Sequence, residues 1–82
     1  MDTNKILKAL GEPMRFKIFS CLLERTHCVR SLSKKLGITE SAISQHLKIM
    51  READLVYGEK YGYHTHFLPK QETLDALTEL FL

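Results

Sequence analysis

Six polar residues, Glu40, Ser41, Ser44, Gln45, Lys48 and Arg51, recur at helical spacing within GITESAISQHLKIMREADLV, residues 37–56. At about 100° per residue they share one arc of a helix. Ala42, Ile43, Leu47, Ile49, Met50 and Ala53 fill the opposite arc. An apolar arc packs on a core. The polar arc carries short hydroxyls and an amide that both donate and accept hydrogen bonds, rather than a Glu/Lys solvation layer. That chemistry suits base edges in the DNA major groove, where Gln reaches adenine and Lys reaches guanine or phosphate. Ser41, Ser44, Gln45 and Lys48 are therefore the base-reading candidates. Ser41, near the helix start, can instead hold a phosphate together with backbone amides. The competing reading is a plainly solvated helix.

Charge is distributed as a phosphate-facing surface requires. The whole chain is only +2, but residues 29–52 set Arg30, Lys34, Lys35, Lys48 and Arg51 against Glu40 and Glu52, a local balance of +3. Residues 69–82 set Lys70 against Glu72, Asp75 and Glu79, a balance of −2. Candidate contacts to the DNA backbone are Arg30, Lys34, Lys35, Thr39, Arg51 and Lys60. For Arg30, Lys34 and Lys35 the alternative is simple solubility charge.

Other chemistries lack their parts. No glycine-rich loop cradles a phosphate, and no nucleophile has a base and an orienting third group, so an enzyme is not expected. His27 and Cys28 are chain neighbours, which rarely point at each other. The spacing of Cys21 and Cys28 matches no zinc pattern. His64 and His66 alternate along a strand and share a face, but two imidazoles need further ligands. No metal and no cofactor are expected, with Cys28, His64 and His66 the residual metal candidates. His46, between Ile43 and Met50, reads as a packed structural histidine. Cys21 reads as an inert core thiol, and Cys28, at a helix start, as a redox candidate at most. Tyr57, Tyr61 and Tyr63 are either sugar and phosphate contacts or packing.

These residues need elements to hold them. A first helix spans about Thr3 to Leu10, with Ile6, Leu7 and Leu10 as its apolar stripe and Gly11 as its stop. Pro13 suits the first turn of a second helix, which runs to about Arg25. Phe16, Ile18, Phe19, Leu22 and Leu23 make that the core helix. After a break at Thr26-His27, a third helix spans Val29 to Leu36 with Val29, Leu32 and Leu36 inward. Gly37 supplies a left-handed residue, and Thr39 caps a fourth helix that reaches Ala53. Asp54 stands where a glycine would be most comfortable. LVYGEK and YHTHFL then read as a hairpin turning at about Lys60-Tyr61-Gly62. Pro69 ends its second strand. Gln71 to Leu82 forms a last helix with Leu74, Leu77, Leu80 and Phe81 on one side. The fold class is mainly α with a β-hairpin wing, ordered helix-helix-helix-helix-strand-strand-helix. The tight glycine turn between the third and fourth helices is a helix-turn-helix, whose second helix enters the major groove.

With 82 residues the chain makes one domain, 1–82, small enough to gain from a second copy. The stripes Ile6/Leu7/Leu10 and Leu74/Leu77/Phe81 at opposite chain ends are the expected homodimer contacts. No apolar run spans a membrane and MDTNKILKAL has no secretory pattern, so no membrane partner is expected. Two cysteines fit a reducing, cytoplasmic setting.

LKALGEPMRFKIFSCL and SLSKKLGITESAISQHLKIMREADLV, including the Ser-x-His-Leu-Lys run at Ser44–Lys48, resemble the signatures of ArsR/SmtB-type winged-helix repressors of bacteria and archaea. The resemblance covers about residues 6–68. It implies a homodimer that binds an inverted-repeat operator in double-stranded DNA, usually to repress transcription, with dimer contacts from the first and last helices. Metal-sensing members carry a Cys-x-Cys pair where this chain has HCVRSL, so Cys28 remains and Arg30 takes the second position. The last helix offers Asp75 and Glu79 but no histidine for the family's other metal site. Many relatives place Arg just after the wing glycine, where this chain has Tyr63, leaving Lys60 as the tip cation. Two rival readings stand beside a dimeric repressor: a winged helix used only to bind protein, and a DNA-binding sensor switched through Cys28 or the histidines.

Overall fold

Asp2, Glu12, Cys28 and Thr39 each precede a helix and accept the backbone N–H of the residue three positions on. Each thereby satisfies one of the orphan donors that every helix start leaves. These caps set the starts of α1 (Thr3–Leu10), α2 (Pro13–Glu24), α3 (Val29–Leu36) and α4 (Glu40–Glu52) in a computed structural model that describes residues 2–81. Strands β1 (His27–Cys28), β2 (Val56–Tyr61) and β3 (His64–Pro69) and helix α5 (Gln71–Leu80) complete the chain. The architecture is a winged helix-turn-helix. None of the described helices is long and apolar enough to cross a membrane.

Two left-handed residues fix the turns around α4. Gly37, at φ 70°, ends α3 with its N–H on the Ser33 carbonyl. Asp54, at φ 60°, ends α4. Its N–H reaches the Arg51 carbonyl at 3.0 Å, and Leu55 N–H reaches the Met50 carbonyl at 2.9 Å. That paired pattern is the Schellman motif, usually built on glycine. Here Asp54 bears the conformation and spends its carboxylate on Lys70 Nζ at 3.0 Å, while its carbonyl accepts the Thr73 hydroxyl. One residue thus joins the end of the fourth helix to the start of the fifth.

The core is built where α2, α3, α4 and the sheet meet. Ile18, Leu32, Ile43, Leu47, Met50, Leu55 and Val56 are buried there, with Ile6 of α1 and Phe67 of β3. Truncating one of these, Leu47→Ala for example, should cost about 2–5 kcal/mol.

The structure departs from the sequence reading at several points. Thr26-His27 does not merely break the chain: His27 and Cys28 form β1, antiparallel to β3 opposite Phe67 and His66. The sheet order is therefore β1-β3-β2. Two residues are too short to show a strand period. The wing turns at Gly62-Tyr63, with Tyr61 paired to His64, so Lys60 lies inside β2 opposite Thr65 rather than at the tip. Phe16 and Leu23 are exposed, because α2 buries only the face carrying Ile18, Phe19 and Leu22. Ile49, expected on the apolar arc of α4, is also exposed, because it lies at the margin of that arc. Leu82, the expected end of the last helix, lies outside the described residues.

Candidate nucleic-acid interface

The bend between α3 and α4 is held by three local hydrogen bonds. Gly37 N–H bonds Ser33 O at 2.9 Å, Ser33 Oγ donates to Ile38 O at 2.6 Å, and Thr39 Oγ1 accepts Ala42 N–H at 3.0 Å. Ser33 is the small residue that allows the close approach, and its hydroxyl satisfies a carbonyl of the turn itself. Leu32, Ile43 and Leu47 are buried around the corner, so α4 is fixed by packing as well as by its cap.

With its apolar side sunk in the core, α4 turns Glu40, Ser41, Ser44, Gln45, Lys48 and Arg51 outward, all exposed. Among the described residues none of these six side chains has a hydrogen bond or ion pair within the chain. On α3, Arg30 and Lys34 are likewise exposed and unpaired, whereas Lys35 lies 3.8 Å from Glu24 in an exposed, weak pair. Thr39 has committed an oxygen lone pair to its cap but keeps a hydroxyl proton to donate.

Alongside, the wing projects a nearly bare tip. Tyr61 Oη donates to Glu59 Oε2 at 2.7 Å, and its ring meets His66 edge-on at 4.9 Å between centroids. Gly62, at φ 64°, makes the tight turn. Tyr63 follows it with a relative exposure of 102 %, an aromatic ring touching nothing of its own chain that would hide it. The corrected tip residue is therefore neutral Tyr63, with Lys60 exposed on the strand behind it. A cleft of about 680 Å³ separates wing from helices, lined by Arg30 of α3, Glu40 and Arg51 of α4, and Tyr63 and His64 of the wing.

The residual metal candidates are brought near one another, but two of the three are occupied. Cys28 lies opposite His66 across the β1–β3 ladder. Its sulfur caps α3 by accepting Ser31 N–H at 3.5 Å, and His66 Nδ1 lies 3.1 Å from Thr26 Oγ1. His64 is exposed on the wing. Among the described residues no three His, Cys, Asp or Glu side chains gather as a metal would need.

Two histidine environments are not legible in the sequence. His27, read there as a mere neighbour of Cys28, is 2 % exposed, with Nδ1 2.8 Å from Ser31 Oγ and Nε2 buried with no partner among the described residues. Burial pushes its imidazole below the ordinary 6.5, and the Arg25 and Lys35 cations push it the same way. Its strand carried no signal, because the pairing partner lies forty residues away in β3. His46 is a half-buried, hydrogen-bonding histidine, but it looks to Arg15 and Glu12 of α2 and its cap, which no spacing in the sequence connects to it.

A second exposed surface is an apolar groove. Leu7 and Leu10 of α1, Phe16 and Leu23 of α2, and Leu77 and Phe81 at the chain end line a groove of about 450 Å³. Phe81 is 85 % exposed and Phe16 59 %. Ile6, expected on this face, is 1 % exposed and belongs to the core instead, because α1 turns Ile6 and Ala9 inward. Leu74 is half-buried against the core rather than in the groove. Phe16 and Leu23 take their places, so α2 joins α1 and α5 on the apolar face.

Comparison with known proteins agrees with this geometry. The HTH-type transcriptional repressor SmtB of Mycobacterium tuberculosis is 40 % identical over 59 residues, covering 72 % of this chain and 44 % of its own length. The chain thus spans less than half of that relative. The transcriptional activator HlyU of Vibrio cholerae is 32 % identical over 75 residues, covering 92 % of this chain and 69 % of its own. In fold, the homodimeric winged helix-turn-helix DNA-binding domain of a possible ArsR-family regulator from Mycobacterium bovis superposes with a TM-score of 0.84 at 20 % identity, over 95 % of this chain and 72 % of that one. A family model for bacterial regulatory proteins of the arsR family matches residues 12–57, from the cap of α2 through α4 into the first wing strand, and the chain belongs to that family.

Proposed function

We propose that the protein is a transcriptional regulator that binds double-stranded DNA sequence-specifically as a homodimer. The observation that carries this reading is the outward face of α4: a run of exposed, unpartnered hydrogen-bonding side chains on a helix held rigidly by a capped glycine turn. A helix needs such a face only if something outside the chain satisfies it or water does. A rigid mount, neighbouring cations and family membership favour DNA. Ser41, Ser44, Gln45 and Lys48 would read base edges, while Arg30, Lys34, Lys35, Thr39, Arg51 and Lys60 would hold the phosphate backbone. Tyr63 at the wing tip would touch the sugar and groove edge beside the half-site without adding charge.

Dimerisation follows from the apolar groove of α1, α2 and α5. Two copies meeting across a two-fold axis would bury Leu7, Phe16, Leu23 and Phe81 together and space two copies of α4 for an inverted repeat. Repression is the simplest output, since a bound dimer occludes its own operator, although relatives are named as both repressors and activators. The site of action would be the cytoplasm, where the chromosome of a bacterium or archaeon lies. Selection of bound sequences from a random duplex pool tests the reading directly. An inverted repeat is expected; absence of any enriched sequence would leave the winged helix as a protein-binding module.

A further inference from the structure

Arg15, in the first turn of α2, ties together three elements. Its Nε donates to the Ala9 carbonyl at the end of α1 at 2.7 Å, and its Nη1 lies 3.5 Å from His46 Nδ1 on α4. Arginine only donates, so this contact requires the imidazole proton on Nε2. Glu12 Oε2 accepts the Arg15 backbone N–H at 2.8 Å, which holds the Glu12 carboxyl below its ordinary range, and lies 3.8 Å from the same imidazole nitrogen. One guanidinium therefore links a helix of the apolar face to the helix that carries Ser44 and Gln45.

Beside Arg15 opens a pocket of about 300 Å³ between α1 and α4. Ala9, Ile49 and Ala53 supply its apolar lining, and Lys5, Lys8 and Arg15 outnumber a single carboxylate, Glu52. An exposed isoleucine alone means little. An exposed isoleucine within a cation-rich concavity describes a complement: an apolar body with an anionic head. The volume is at the small end for ligand sites.

We propose that this pocket binds a small amphipathic carboxylate and that its occupancy is transmitted to α4 through Arg15. A carboxylate is best held by two parallel donors of one guanidinium. Arg15 gives its single Nε proton to Ala9 and turns one Nη1 proton toward His46, so a carboxylate can take only the end-on fork of the remaining Nη1 and Nη2 protons, and drawing that end into the pocket loads both ties. Binding of the ligand then competes with the tie between α1 and α4. By linkage the DNA-competent arrangement and the liganded one disfavour each other. The transmission half of this proposal rests on the DNA-binding function proposed above; the binding half does not.

The probe is octanoate, with 1-octanol as the headless control and acetate as the tailless one. In the DNA-free protein, backbone amide NMR should show saturable shifts at Lys8, Ala9, Ile49 and Ala53 with octanoate, and binding weaker by about tenfold or more with either control. Ile49→Glu and Lys8→Glu, both at exposed positions, should abolish those shifts while the remaining amide spectrum stays folded. On the selected operator, octanoate should weaken wild-type binding by about fivefold or more. Arg15→Lys, which keeps the charge without the fork, should bind octanoate more weakly and, even when saturated with it, lose that coupling. The site is overturned if octanoate gives no saturable shifts at the pocket, if octanol matches it, or if Ile49→Glu binds it like wild type. Octanoate binding with unchanged operator affinity overturns the transmission through Arg15. A Lys8→Ala variant whose operator binding loses salt dependence without any octanoate effect would make the pocket a phosphate contact instead, and would overturn the proposal. Failure to bind any duplex would leave the NMR result standing and count only against the DNA reading.

Discussion

Among the described residues two faces leave side chains without partners, and they do so in opposite ways. On α4, Ser44, Gln45 and Lys48 stand outward as polar groups that water already satisfies. In the groove of α1, α2 and α5, Phe16, Leu23 and Phe81 stand outward as apolar groups that water does not. The first face loses little by remaining free, so its value lies in discrimination: it gains only where a partner's donors and acceptors match its own. The second face gains from almost any apolar cover, so its value lies in affinity for a like surface. The proposed dimeric DNA-binding regulator would need both, because one α4 helix alone would read too few bases to bind tightly and a dimer would double the contacts.

The largest effect should come from the apolar face. Phe16→Asp and Leu23→Asp each remove a side chain worth about 1.5–3 kcal/mol of burial, counted twice across a two-fold interface. Both positions are exposed in the single chain, so sedimentation should report a folded monomer, with operator affinity lost alongside. A stable dimer in both variants would move the interface elsewhere.

A smaller and more selective loss is expected on α4. Gln45→Ala should lose about 1–3 kcal/mol on the preferred operator and relax preference at one base position. If selection with the variant returned the same sequence logo as wild type, the reading face would have been assigned to the wrong residues.

Backbone holding and wing contact should separate by salt. Lys34→Ala should weaken every duplex alike and reduce the slope of log affinity against log salt by about 1.8, one phosphate contact being lost from each protomer. Tyr63→Ala should weaken binding with the slope unchanged, since the tip residue is neutral. Binding isotherms at several salt concentrations distinguish the two, and a slope change in Tyr63→Ala would refute a neutral tip contact.

The smallest effect lies outside both faces. His27 is buried, and its imidazole titrates below the 6.5 of an unfolded chain. Between those two values the unfolded state binds the extra proton, so stability is full above 6.5 and falls as the pH drops through that window. Melting temperature should fall as the pH is lowered from neutrality through 6.5, and less so in His27→Gln, which cannot titrate there. Equal acid sensitivity in the variant would place the effect on other groups.

Much of this was legible in the chain itself, wherever the physics is local. Gly37 and Asp54 announce left-handed turns because backbone sterics at one residue decide them. Thr39 announces a cap because its hydroxyl needs only the amide three residues on. The polar arc of α4 is a matter of helical angle, so Ser44, Gln45 and Lys48 could be picked out from spacing alone. The rest depended on which neighbours arrive from far along the chain. β1 exists because β3 pairs with it, and His27 is buried as part of that pairing. Phe16 and Leu23 share a helix with Ile18 and Leu22, and only the packing of α2 against α4 and the sheet decided which pair faces inward. Ile6 was hidden and Phe16 left bare by the same docking. Arg15 meets His46 across thirty-one positions of chain, a contact no local rule anticipates. Sequence fixes conformation where the deciding atoms lie within a turn or two of each other; burial, and with it the partner-facing surface, belongs to the tertiary fold because it is shared among elements that only folding brings together.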